Sequence, residues 1–114
     1  MLPPAEIRKI RRSLADDDGR VPILFSALSD SRRFGMFRLL VDREDICVSE
    51  MADIFGISVP AASQQLRILE MTGLIRRERR GKNTCYAANC EDPVVKSLLG
   101  TCCWQGRNKK EQKT

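Results

Sequence analysis

The chain has 114 residues, a length that suits one domain, and 42% of them are hydrophobic, enough for a modest core. Its 20 Lys and Arg outweigh 15 Asp and Glu, so a net charge of +5 and an isoelectric point near 9.2 favour a polyanionic partner. The sequence offers no histidine base, no Gly-rich phosphate loop, no apolar leader behind Pro3 and Pro4, and no apolar run of membrane-spanning length. This argues against an enzyme and against a membrane or secreted protein, and makes the cytoplasm the expected location, where the five cysteines stay mostly reduced.

Pro3 and Pro4 suit the start of a first helix, Ala5 to Leu14, which carries Ile7, Ile10 and Leu14 on one face and Arg8, Lys9, Arg11 and Arg12 around it. Asp16, Asp17, Asp18 and Gly19 break it. Pro22 opens a short helix through Ile23, Leu24, Ala27 and Leu28. Ser29, Asp30 and Ser31 cap a third helix with an expected core face of Phe34, Phe37, Leu40 and Val41, and a polar turn covers Asp42 to Asp45. Ser49 is the expected cap of a fourth helix with apolar Met51, Ala52, Ile54 and Phe55. After the break at Gly56 and Ile57, Ser58 caps a fifth run from Val59 to Glu70, with Ala62, Leu66 and Leu69 facing inward on helical period; Thr72 and Gly73 stop it. Leu74 to Arg80 and Thr84 to Ala88 then read as a basic two-stranded ribbon about a turn at Gly81, Lys82 and Asn83. Asp92 and Pro93 start a last helix, where Val94, Val95, Leu98, Leu99, Cys102 and Cys103 form a broad apolar stripe in need of a partner.

Two helices about a short turn, followed by a basic hairpin, make a winged helix-turn-helix: mainly α with a small β-hairpin, and expected to be dimeric. The expected organisation is an N-terminal dimerisation helix and linker over 1–20, the winged domain with a C-terminal dimerisation helix over 21–104, and a basic flexible tail over 105–114. Arg76 to Lys82 holds five cations against one acid, while acids gather at Asp16 to Asp18 and at Asp42, Glu44 and Asp45, the charge asymmetry of a nucleic-acid binder. The partner that fits is double-stranded DNA, which takes a rod-shaped element in its major groove and cations on its phosphates.

Gln64 and Gln65 are the leading base readers, because a side-chain amide can bind adenine bidentately. Ser58 and Ser63 lie where a helix N-terminus meets phosphate, with Pro60, Ala61 and Arg67 on the same exposed stretch. Arg79, Arg80 and Lys82 surround the wing tip. A winged helix used only as a protein-interaction module is the competing reading, but the polar Ser63, Gln64 and Gln65 face lacks the apolar anchors such a surface carries.

Five segments in order carry a family resemblance: Ala27 to Phe34, Ile46 to Ala52, Ser63 to Leu69, Thr72 to Ile75, and Arg80 to Lys82 with Tyr86. Over roughly Ile23 to Leu99 the chain resembles ArsR/SmtB-type repressors. That resemblance implies a homodimeric winged-helix repressor that releases its operator when an inducer, often a metal ion or metalloid, binds. Cys47 falls on a family ligand position, but the motif's second cysteine is Ser49 here, and without histidine the Asp, His and Glu zinc site of some members cannot form. The candidates for a thiol switch are Cys47, Cys102 and Cys103, taking As(III), Sb(III), Cd(II) or Pb(II), or responding to oxidation. Packing alone, with no cysteine switch, is the alternative for these residues, and it is the favoured reading for Cys85.

Overall fold

The computed structural model describes residues 1–16 and 19–101. Among these the chain runs α1 (Pro4–Ala15), α2 (Arg20–Leu28), α3 (Ser31–Asp42), β1 (Ile46–Cys47), α4 (Val48–Phe55), α5 (Val59–Thr72), β2 (Ile75–Arg80), β3 (Asn83–Ala88) and α6 (Pro93–Thr101). The winged helix-turn-helix read from the sequence is present, with one addition. The hairpin gains a third antiparallel strand, β1, and the sheet order is β1-β3-β2. Two residues are too few to show an alternating pattern. What makes them a strand is the pairing of Ile46 with Tyr86, which buries both.

Local chemistry sets the helix ends. The Asp30 carboxylate accepts the N–H groups of Arg32 and Arg33 at 2.8 and 3.0 Å, and these bonds, that of Arg33 first, hold its carboxyl below the usual value. The cap of α4 is Cys47 rather than Ser49: β1 starts the helix two residues earlier, and the Glu50 carboxylate accepts the Cys47 N–H at 2.9 Å. Ser58 caps α5 as expected, its Oγ accepting the Ala61 N–H at 3.2 Å. That helix runs through Thr72 because the Thr72 hydroxyl donates to the Leu69 carbonyl at 2.8 Å, and Gly73, at φ +89°, makes the left-handed turn that ends it.

Leu24, Met36, Leu40, Met51, Leu66, Leu69, Leu74, Ile75 and Val95 form the fully buried centre. Two expected core positions, Phe34 and Ile54, fall outside it. At about 100° per residue, Met36, Phe37 and Leu40 share one arc of α3 and leave Phe34 half-buried beside it. The same geometry puts Met51, Ala52 and Phe55 inward on α4 and leaves Ile54 57% exposed.

The terminal helices differ from expectation. The stripe on α6 finds its partner within the same chain: Val95 and Leu98 are buried in the core, with Val94 and Leu99 packed against it. On α1 nothing is buried, and Ile7, Ile10 and Leu14 stand 40, 45 and 72% exposed. The side chains of Cys102 and Cys103, and the tail at 105–114, lie outside the described residues. Arg20 opens α2 and donates to Asp92 at 2.6 Å, tying α2 to the start of α6.

Asp92 also accepts the Val94 N–H at 2.8 Å. The Arg20 hydrogen bond, then those from the helix backbone, hold its carboxyl below the ordinary value of 3.8. A carboxyl depressed by folding stabilises fully above its unfolded value and loses that contribution as pH falls through the folded one. Urea unfolding should therefore find Asp92→Asn less stable than the parent near neutrality, with the gap closing below about pH 3.8. A gap independent of pH would show that the charge on Asp92 is not what stabilises the α2–α6 junction.

Candidate nucleic-acid interface

Helix α5 presents two faces of opposite character. Ala62, Leu66 and Leu69 are fully buried, while Ser58, Pro60, Ser63, Gln64 and Arg67 are exposed and Ala61 is half-buried. Ser58 and Pro60 lie at the N-terminus of the helix, where unsatisfied N–H groups and the helix dipole favour phosphate, and Ser63, Gln64 and Arg67 continue the exposed face from there. Gln65 behaves differently from Gln64. Its Oε1 accepts from the Arg33 guanidinium at 3.0 Å, and Arg33 also donates to the Ala27 carbonyl at 2.8 Å, so Gln65 braces α5 against the α2–α3 turn. Gln64 is left as the amide facing outward.

The wing cations are sorted by strand alternation and by acids from elsewhere in the fold. Arg77 shares a face of β2 with Ile75, pairs with Glu70 of α5 at 3.4 Å, and lines an open cleft of about 370 Å³ with Ser63, Arg67, Glu70, Met71 and Tyr86. Burial, then the nearby Glu70 charge, raises the Tyr86 hydroxyl above its ordinary pKa and keeps it neutral. Arg76 and Arg80 lie on the other face. Both bind Glu78, at 3.0 and 3.2 Å, which holds the Glu78 carboxyl below its usual value. Arg80 reaches Asp45 as well, at 2.8 Å, and Asp45 takes a left-handed φ of +65° just before β1. The basic run is thus partly neutralised in the free protein. Among the described residues, Arg79 and Lys82 make no ion pair and project at the exposed wing tip.

The sequence reading missed Arg77 as a cleft residue and Arg33 as the brace of Gln65. The period-two relation to Ile75 was a usable signal for Arg77; nothing local marks Arg33, whose role depends on a contact 32 residues away.

The thiols fall into two groups. Cys47 and Cys85 face each other across β1 and β3, with Cα atoms 3.9 Å apart and their Sγ atoms in disulfide contact. The fold thus brings together two thiols that the sequence reading had treated separately, Cys47 as a switch candidate and Cys85 as a packing residue, and Cys85 is buried as that reading expected. Cys90 is free and half-buried. Among the described residues no three His, Cys, Asp or Glu side chains come together to hold a metal ion. No described helix is long and apolar enough to cross a membrane.

Comparison with known proteins agrees with this geometry. The model of the bacterial regulatory protein, arsR family, matches residues 30–77. A transcriptional repressor SmtB homolog of Synechocystis is 38% identical over 63 residues, 55% of this chain, and the chain spans 47% of that relative's length. A cadmium resistance transcriptional regulatory protein CadC homolog of Staphylococcus aureus is 30% identical over 82% of this chain and 77% of its own. The solution structure of the homodimeric winged helix-turn-helix DNA-binding domain Mb0332 from Mycobacterium bovis superposes with a TM-score of 0.64 at 25% identity, covering 86% of this chain and 88% of that one. By its sequence relatives, its exposed α5 face and its wing, the chain belongs to the arsR family of bacterial regulatory proteins and is a winged helix-turn-helix DNA-binding transcriptional regulator.

Proposed function

We propose that two copies of this chain bind a palindromic operator as a repressor, with α5 of each in successive major grooves and each wing on the flanking backbone. The observation that carries the reading is the division of α5 into a buried face and an exposed Ser58, Pro60, Ser63, Gln64 and Arg67 face beside the free wing-tip cations Arg79 and Lys82. Gln64 reads a base edge; Ser58, Ser63, Arg67, Arg79 and Lys82 take phosphate; Arg80 positions the wing through Asp45 and Glu78. Ala61 packs beside these contacts, and Gln65 keeps α5 at its docking angle. The unpartnered face of α1, together with the homodimeric state of the Mycobacterium bovis domain, supports the homodimer.

Release is assigned to thiol chemistry, through a soft ion such as Cd(II), As(III), Sb(III) or Pb(II) or through oxidation. The described residues do not assemble a metal site, so this assignment rests on Cys102 and Cys103, and the cadmium resistance regulator among the relatives supports it.

Fluorescence anisotropy on a labelled duplex, titrated with salt, tests the DNA reading. Affinity should fall roughly a thousandfold between about 50 and 200 mM salt, and each lost phosphate contact should reduce the slope by about 0.9. Arg79→Ala and Lys82→Ala should weaken all sequences alike. Gln64→Ala should remove about 1–3 kcal/mol of discrimination at one base pair per half-site. No duplex binding at low salt, or a salt-independent affinity, would overturn the assignment.

A further inference from the structure

We propose that Cys47 and Cys85 are an oxidative modification site, which a hydroperoxide closes to a disulfide that clips the wing to the first helix of the helix-turn-helix. Their placement argues for it. Cys47 is the N-cap of α4, and Cys85 lies in β3, the central strand of the sheet and one arm of the wing. The register sets them directly opposite across the β1–β3 seam, so the two side chains meet without either strand having to slide.

The seam they cross is the thinnest in the sheet. β1 meets β3 through two residue pairs, Ile46 with Tyr86 and Cys47 with Cys85, whereas β2 meets β3 through six. A covalent link there adds most where the ladder holds least. It acts beside the Arg80–Asp45 bridge, which joins the far arm of the wing to the residue just before β1.

The two thiols have different access. Cys85 is 3% exposed, whereas Cys47 is half-buried at the start of α4, so peroxide reaches Cys47 more readily. Cys47 therefore attacks first. Its sulfur takes the outer peroxide oxygen, the O–O bond breaks, and an alcohol (or water, from hydrogen peroxide) leaves with a proton. The Cys85 sulfur then attacks the Cys47 sulfenic acid; the S–S bond forms and water leaves. The thiols lose two electrons and two protons, the peroxide is reduced, and a dithiol reductant reverses the exchange. Closure at this pair holds the wing against the helix-turn-helix and tightens operator binding, a response separate from, and opposite in sign to, the release assigned to Cys102 and Cys103. Only this last consequence rests on the repressor reading.

The test uses the full chain carrying Cys90→Ser, Cys102→Ser and Cys103→Ser, treated with equimolar hydrogen peroxide and then with dithiothreitol. Non-reducing tryptic mass spectrometry should find peptides 44–67 and 83–96 joined and two hydrogens lighter, and separated again by the reductant. Removal of Cys90 matters because it shares peptide 83–96 with Cys85. Hydrogen exchange at residues 46–48 and 84–86 should slow on oxidation. Cys85→Val, which keeps an apolar side chain in the buried position, should abolish the response; Cys47→Ser should abolish it equally if the valine fails to fold. Operator affinity should rise about fivefold or more on oxidation, the scale of a modest allosteric coupling. Failure to join the two peptides would overturn the site. A bond that forms without changing exchange or affinity would overturn the clip. An absence of DNA binding in both redox states would count against the repressor reading, and exchange alone would then decide the clip.

Discussion

An Ile10→Asp variant will scatter light as a folded monomer, and its affinity for a two-half-site operator will fall by about 10²–10⁴-fold. Ile7, Ile10 and Leu14 form an apolar stripe on a helix with no buried residue of its own, and the proposed homodimer covers it with a second copy. A carboxylate in that seam loses its water without gaining a partner, which dissociates the dimer while leaving each core intact. The loss on DNA is large because the second recognition helix no longer binds as a linked ligand; tethering of this kind is worth about 10²–10⁴ in affinity without any new contact. Leu98→Asp is the informative contrast. Leu98 is buried in its own chain's core, so that substitution should unfold the protein instead of separating two folded copies. Static light scattering with far-ultraviolet circular dichroism distinguishes the two outcomes. A dimeric, folded Ile10→Asp protein would move the seam away from α1.

Leu66→Ala will cost about 2–5 kcal/mol of stability, measured by urea unfolding, while Gln64→Ala two positions away will stay within about 0.5 kcal/mol. Leu66 is fully buried among the residues that join α5 to the rest of the core, and truncation leaves a cavity that the surrounding core fills only in part. The folded fraction of Leu66→Ala should bind duplex DNA with near-parental salt dependence, because the exposed residues proposed to meet phosphate lie on the opposite side of the helix. For Gln64→Ala the pattern reverses: stability is kept and base preference is lost. If Leu66→Ala cost under about 1 kcal/mol, the inward face of α5 would not be packed as the structure has it.

The sequence by itself determined the helix-turn-helix and its wing. Ser58 as a cap, the period of Ala62, Leu66 and Leu69, the stop at Gly73 and the turn at Gly81 are all local, and local rules read them. The exposed face of α5 was legible for the same reason, since a helix that buries one arc must present the other. Contacts between distant residues were beyond such rules. β1 is two residues long and exists because Tyr86 lies opposite Ile46, and its formation moved the cap of α4 from Ser49 to Cys47. Gln64 and Gln65 are chemically identical neighbours; only the approach of Arg33 across 32 residues made one a brace and left the other facing outward. The apolar stripe of α6 looked in need of a partner, and the packing of Val95 and Leu98 into their own chain's core settled that it was already covered, while the stripe of α1 stands exposed. Cys85 read as a small apolar strand residue until the register set it against Cys47. Helical period and capping are properties of a few consecutive residues, whereas strand register, ion-pair choice and thiol pairing depend on which distant segments the folded chain brings together.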